Sequence, residues 1–327
     1  QRVILDSISL AISAGSAVAV MGPSGCGKSS ITNVLSGRAG YGTVTGSIVI
    51  NGAQGGGCTI KELRAVTGFV PQDDVMDRNM TVEENVRFQA ELRLPRGDAQ
   101  GILERGEQVQ HEAEQVLGDL GLGDPALRGT LIGDENVKGV SGGQRKRVSI
   151  AMELVSRPWL LFLDEPTSGL DSTTSHSVVG MFTAAARSSG CTTIAVVHQP
   201  RYETLCLFDQ LVLLAAGGFL VYSGPASAVE EYLHGTLRVR FPEKANPADT
   251  LLDAVTWESA RDLMGRDEML HCGDDALVTR KAFGEWLARV WRASTRPGEE
   301  RAADVPLPPL EVATCSWGEE VFVHMKR

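Results

Sequence analysis

No stretch of this sequence approaches the ~18 consecutive apolar residues that a membrane-spanning helix requires. The most apolar region, "LCLFDQLVLLAAGGFLVY" from Leu205 to Tyr222, is interrupted by Asp209, Gln210 and a glycine pair, and reads as a buried strand and turn. Paired cysteines are missing as well. The six cysteines, Cys26, Cys58, Cys191, Cys206, Cys272 and Cys315, are scattered without C-x-x-C spacing. That argues against a disulfide framework and for a reducing, cytosolic environment. Positive charge is not in excess either: the formal net charge is −10, whereas a nucleic-acid groove needs a concentrated basic face. No nucleic-acid partner is expected, and no internal repeat is visible. What is present, 327 residues of which 43% are hydrophobic and 22% charged, suffices for one large globular domain with an appendage. The chain opens on Gln1 with a strand pattern already under way, as a piece of a longer polypeptide would.

Along the chain, "VILDSISLAI" (Val3 to Ile12) alternates like a half-buried strand, and "GSAVAVMG" (Gly15 to Gly22) is a continuous apolar run of the buried parallel kind. A helix is expected at "SSITNVLSGRA", short strands at "GSIVING" and "VTGFVPQ", and buried strands at "WLLFLDEP" and "CTTIAVVHQ". "DQLVLLAAGGFLVYSG" reads as a hairpin. Thr81 and Glu84 have capping-box spacing at the head of "MTVEENVRFQAELRL", and a polar helix follows from about Ala99 to Leu120. Strands alternating with helices imply an α/β fold with a mainly parallel sheet. The helical stretch 73–157 interrupts the alternation as an inserted lobe.

The sequence "GPSGCGKSS", Gly22 to Ser30, satisfies the phosphate-loop pattern between an apolar strand and a helix. Gly22, Gly25 and Gly27, with Pro23, Ser24 and Cys26 between them, let the backbone curl so that successive N–H groups point inward at phosphate oxygens. Lys28 reaches the β- and γ-phosphates, Ser29 ligates Mg²⁺, Ser30 continues the loop, and the helix start adds its positive dipole end. "LLFLDEP" brings Asp164 and Glu165 to a strand's C-terminal end, where open α/β sheets place ligands. Asp164 is expected to hold Mg²⁺ and Glu165 to polarise the attacking water. Gln72 and His198 are polar side chains at other strand ends; each alone reads as structural or solvated, and together with the rest they read as sensors of the γ-phosphate and the water. Gln72 is counted among the metal ligands too. Cys26, surrounded by N–H groups and near Lys28, is expected to be a reactive thiolate.

A second glycine-rich helix start lies in "GVSGGQRKRVSI". Ser141 and Gln144 form a capping box there, which an ordinary helix would also have. Gly142 and Gly143 leave the helix end bare enough for an anion. The phosphate loop surrounds its own nucleotide, so this second end must face a phosphate from elsewhere.

Phosphate loop, Gln72, "VSGGQ", "LLFLDEPTSGLD" and His198, in that order, resemble the nucleotide-binding domain of an ABC ATPase. "MTVEENVRFQAELRLP", "VKGVSGGQRKRVSIAMELV", "PTSGLDS", "VVHQPR" and "NPADTLLD" resemble the G subfamily, the White/pleiotropic-drug-resistance type. The resemblance implies a RecA-like P-loop NTPase core, a small antiparallel β part and a helical lobe, spanning residues 1–256. It implies ATP and Mg²⁺, and a head-to-tail dimer in which one domain's signature closes over the partner domain's ATP, with Asp171 in the loop between domains. It further implies an ATPase that drives export of lipids, sterols or hydrophobic small molecules through a membrane domain of the same polypeptide, with this domain on the cytosolic face. The aromatic residue that stacks on adenine in that family would fall at or before residue 1. A soluble ABC ATPase acting on ribosomes or DNA would need tandem motif sets, a coiled-coil insertion or basic faces. A non-hydrolytic regulatory module would be marked by loss of Lys28, Asp164, Glu165, Ser141 or His198, and all are intact. No N-K-x-D motif reads a guanine base.

Beyond Thr256 the chain turns charged. Residues 257–310 are expected to be an insert and linker, with "ADVPLPPLE" stiffened by proline. Residues 311–327, with Trp317 and Val321 at helical spacing, Glu319 and Glu320 early, and Lys326 and Arg327 late, are expected to begin an amphipathic helix leading to the membrane domain.

Overall fold

The computed structural model describes residues 3–40, 42–50, 66–94, 102–134, 136–242, 246–264, 280–295 and 321–324. β1 (Ser9–Ile12) and β2 (Ala17–Met21) come first, and α1 (Lys28–Leu35) follows directly on the phosphate loop. β3 (Ser47–Ile50) and β4 (Thr67–Val70) precede a run of helices: α2 (Val82–Arg93), α3 (Ile102–Asp119), α4 (Pro125–Arg128) and α5 (Gly142–Leu154). β5 (Leu160–Asp164), α6 (Ser172–Ser189) and β6 (Thr192–Val196) restore the alternation. Then follow α7 (Tyr202–Leu205), β7 (Gln210–Ala215), β8 (Phe219–Pro225), α8 (Val229–Leu237), α9 (Pro247–Ala254), α10 (Trp257–Leu263), α11 (Arg280–Ser294) and β9 (Val321–His324).

The main sheet has six strands in the order β4-β5-β6-β2-β7-β8. Its first five run parallel, and β8 returns antiparallel to β7 as a hairpin. β6 therefore stands between β2, which feeds the phosphate loop, and β5, which ends in Asp164. Alternation along the strands divides the core. Val18 and Val20 of β2, Phe162 of β5 and Ile194 of β6 face α1, meeting Ile31, Val34 and Leu35. Ala17, Ala19 and Met21, with Leu161, Leu163 and Ala195, face α5 and α6, where Val148, Ile150 and Phe182 are buried. Both faces being covered explains why these strands read as continuous apolar runs.

The inserted helices are fixed by local signals. Thr81 and Glu84 form a reciprocal capping box at α2, and Ser141 and Gln144 do the same at α5. Arg128 then ties the lobe together by ion pairs to Glu83 of α2 at 2.8 Å and Glu114 of α3 at 3.0 Å.

Two expectations for the tail are corrected. Within the stretch read as a charged insert, α10 and α11 belong to the core: Phe283, Leu287 and Ala288 are buried, and the Trp257 ring packs at a tilt against Phe283 with centroids 5.3 Å apart. α11 lies against the β7–β8 hairpin so closely that a Cβ on Gly284 would stand 2.3 Å from Ala216 O. High charge on one helical face concealed an apolar face on the other. In the expected connecting helix, Val321–His324 instead form β9, antiparallel between β1 and β3 in a three-stranded sheet. Val-Phe-Val is a strongly strand-forming triplet, and two open strand edges outweigh its helical spacing. The proline linker, Trp317, Glu319, Glu320, Lys326 and Arg327 lie outside the described residues.

Candidate functional site

The chemistry gathers where β2, β5 and β6 end. The phosphate loop needs glycine for two separate reasons at Gly22: its φ is 153°, and a Cβ there would stand 2.5 Å from Leu214 O and 2.7 Å from Cys26 Sγ. Gly25 and Gly27 also have positive φ, 76° and 105°. Lys28 is buried, and its Nζ donates to Gly22 O at 2.8 Å and Pro23 O at 3.1 Å, which folds the ammonium over the loop. Cys26 departs from expectation. It is 1% exposed, and burial pushes its thiol up in spite of the nearby Lys28 ammonium. The loop's N–H groups do not outweigh desolvation, so Cys26 is a packed thiol and not a thiolate.

Ser29 Oγ donates to Asp164 Oδ1 at 3.3 Å, across the intervening strand β6. Burial raises the Asp164 pKa most, and the Glu165 carboxylate raises it further, against the hydrogen bond from Ser29 and the charge of Lys28. A hydroxyl beside a half-buried, poorly compensated carboxylate is a hard-oxygen pair suited to a divalent cation that arrives with phosphate oxygens. Among the described residues no cluster of three or more His, Cys, Asp or Glu could hold a metal without the nucleotide's help.

Glu165 follows β5 with φ 47°, a left-handed conformation that costs a non-glycine residue about 1–2 kcal/mol. Its N–H donates to Val196 O at 3.1 Å and its carbonyl accepts from Ser168 N at 3.0 Å, which fixes the turn. Its carboxylate accepts from Gln72 Nε2 at 3.0 Å, so Gln72, past the end of β4, is brought onto Glu165. His198 is exposed just beyond β6, whose Val196 is level with Asp164. The neighbouring Gln199 has φ 44°, a second strained residue at this edge, and neither position carries the glycine or asparagine that would announce a left-handed backbone.

The second glycine-rich start is placed differently. Ser141 Oγ accepts from Gln144 N at 3.2 Å and Gln144 Oε1 from Ser141 N at 2.8 Å, so both are engaged in capping α5. Gly142 is exposed, whereas a Cβ on Gly143 would stand 2.5 Å from Thr174 Cγ2. Asp171 caps α6, accepting from Thr173 N and Thr174 N at 3.0 Å each. The starts of α5 and α6 therefore lie side by side. Among the described residues no hydrogen bond or ion pair links Ser141, Gly142, Gly143 or Gln144 to the chain's own phosphate loop.

Two residues of α5 that sequence reasoning passed over join these parts. Lys146 Nζ donates to Gln72 O at 2.8 Å and pairs with Asp74 Oδ1 at 2.6 Å. Glu153 receives Arg93 of α2 in a two-pronged ion pair at 2.6 and 2.8 Å, and also the Phe69 N–H of β4 at 3.0 Å.

Comparison with known proteins gives the same picture. A family model described as "ABC transporter" matches residues 5–168, and one described as "ABC-2 type transporter" matches residues 198–261. The latter segment folds here into β7, β8 and their flanking helices, and no helix among the described residues is long and apolar enough to cross a membrane. "ABC transporter G family member 28" of Arabidopsis thaliana is 43% identical over 244 residues, covering 75% of this chain and 21% of the relative. "Broad substrate specificity ATP-binding cassette transporter ABCG2" of Rattus norvegicus is 36% identical over 310 residues, covering 93% of this chain and 45% of the relative. The chain thus spans less than half the length of either. Among solved structures, a bacterial Atm1-family ABC exporter with ATP bound aligns with TM-score 0.51 and 30% identity, over 70% of this chain and 36% of that one.

Proposed function

The chain belongs to the ABC transporter family, with G-family members among its relatives, and from that premise we propose that it is the ATP-hydrolysing motor of a membrane exporter. The observation that carries the catalytic part is the paired arrangement at the sheet edge: Ser29 on Asp164, and Gln72 on Glu165. In this reading the loop N–H groups and Lys28 bind the phosphates, Lys28 exchanging its contacts with Gly22 O and Pro23 O for phosphate oxygens. Ser29, Asp164 and Gln72 would hold Mg²⁺, which when bound neutralises charge on the β- and γ-phosphates. Glu165 orients water in line with the γ-phosphorus and accepts its proton as the bond to the ADP oxygen breaks. Gln72 and His198 position the water and γ-phosphate, and ADP and phosphate leave.

The export part rests on the family relationship, with a membrane domain of the same polypeptide as partner and this domain on the cytosolic face. Exposed apolar side chains support it: Phe88 and Leu92, one turn apart on α2, are 47% and 64% exposed, the kind of surface that marks an interface. We place lipids, sterols or other hydrophobic small molecules as the cargo class.

The test separates binding from chemistry. Glu165→Gln should bind ATP within about threefold of wild type but lose hydrolysis by at least about a hundredfold, trapping an ATP-bound dimer. Lys28→Ala should lose binding as well. Wild-type turnover by Glu165→Gln would remove the role given to Glu165.

A further inference from the structure

α5 begins with the glycines that are free of their own phosphate loop, and one turn later it carries Lys146, a cation only 3% exposed. A buried ammonium is costly unless several acceptors surround it. Here the acceptors are Gln72 O at 2.8 Å and the Asp74 carboxylate at 2.6 Å, and Asp74 Oδ1 is itself buried with no other polar partner. Both belong to the segment that follows β4, whose Gln72 side chain donates to Glu165. The path from helix to hydrolytic carboxylate is thus short and continuous: Lys146 ammonium, Gln72 carbonyl, Gln72 amide, Glu165 carboxylate. Glu165 stands on a strained backbone, so its side-chain direction depends on what holds it.

We propose that Lys146 is a positioning residue for hydrolysis, fixing the Gln72 backbone so that the Gln72 amide holds Glu165 toward the attacking water. This rests on the reading of Glu165 given under Proposed function. A packing residue would need only an apolar stem at this place. An ammonium that must reach a carbonyl and a carboxylate at once sets a position to within hydrogen-bond tolerance. Because Lys146 rides on α5, any shift of that helix start upon a phosphate is passed to Gln72 by a direct bond.

Lys146→Met alone would leave the half-buried Asp74 carboxylate without its cation, and that variant could fail to fold. The decisive variant is therefore Lys146→Met with Asp74→Leu, which removes both charges and keeps apolar bulk. It is measured as the 327-residue chain, at concentrations where the rate per chain has reached its plateau. We expect cooperative melting, ATP affinity within about threefold of wild type, and kcat lowered at least about tenfold. In a Gln72→Ala background the same double change should cost less than about twofold more, because the two act through one contact. Hydrogen exchange should become faster in residues 68–76 while α5 stays protected. An unchanged kcat beside an inactive Glu165→Gln chain would overturn the proposal and leave the Glu165 reading intact. Losses that multiply with those of Gln72→Ala would overturn it too, as would ATP affinity and kcat falling together. If the wild-type chain hydrolyses nothing, the proposed function fails, and unchanged exchange at residues 68–76 would then show that Lys146 does not hold Gln72.

Discussion

Asp164 occupies an unfavourable place for a carboxylate. Burial first, and the adjacent Glu165 second, raise its pKa, so the folded chain holds that proton more tightly than the unfolded chain does. By linkage, the ionised form destabilises the fold at neutral pH, and the loss is recovered as pH falls through the raised value. Asp164→Asn should therefore melt higher than wild type near pH 7, with the difference shrinking as pH is lowered into the carboxylate range. The same variant should hydrolyse ATP at least about tenfold more slowly, since the neutral amide is a poor ligand for Mg²⁺. Calorimetry across pH with an ATPase assay tests both parts; a lower melting temperature near pH 7 would show that the site holds no stored strain. The residue types and order of this site were legible because phosphate loops and strand-end acids are local patterns. Cys26 was misread for a physical reason: nearness to Lys28 can be inferred from sequence, but the desolvation that outweighs it comes from the core cluster in which Cys26 is buried, built from residues far apart in the chain.

At the scale of elements, α11 is the informative case. Its buried residues, Phe283, Leu287 and Ala288, follow helical spacing, but Arg, Lys and Glu around them gave the segment the composition of a linker. Phe283 packs between Trp257 and Trp286, with centroids 5.3 and 5.9 Å away. Phe283→Ala should lose about 3–5 kcal/mol in a urea titration, whereas the exposed Arg292→Ala should lose less than about 0.5 kcal/mol. If Phe283→Ala left stability unchanged, α11 would be an appendage after all. The hairpin of β7 and β8, both capping boxes and the buried strands were readable in advance because each is set by residues within a few positions. Lys146 to Gln72 and Arg93 to Glu153 span 74 and 60 positions, and no local pattern announces them. They are what make α5 a rigid link between α2, β4 and the site.

At the scale of the whole molecule, the unanswered feature is a well-formed helix start with an exposed glycine that, among the described residues, makes no hydrogen bond to its own phosphate loop. Gly142 is exposed at the first position of α5, and Gly143 is used up in packing on Thr174. If two chains pair head to tail, each Gly142 closes over the partner's ATP, and neither chain completes a site alone. ATPase activity per chain should then rise with protein concentration until dimers predominate. A sharper test mixes two variants that are inactive for different reasons. Lys28→Ala lacks the phosphate loop's cation but keeps the helix start. Gly142→Asp keeps the phosphate loop, and its carboxylate at the helix N-terminus favours the helix while repelling the partner's phosphate. In a mixed dimer one site receives both defects and the other receives neither. An equal mixture pairing at random should regain about a quarter of wild-type activity, if the two sites fire independently. The recovery should follow the square of total concentration when dimers are scarce. Sites completed within one chain would give a mixture as inactive as its parts, and that outcome would leave the α5 glycines with a packing role only.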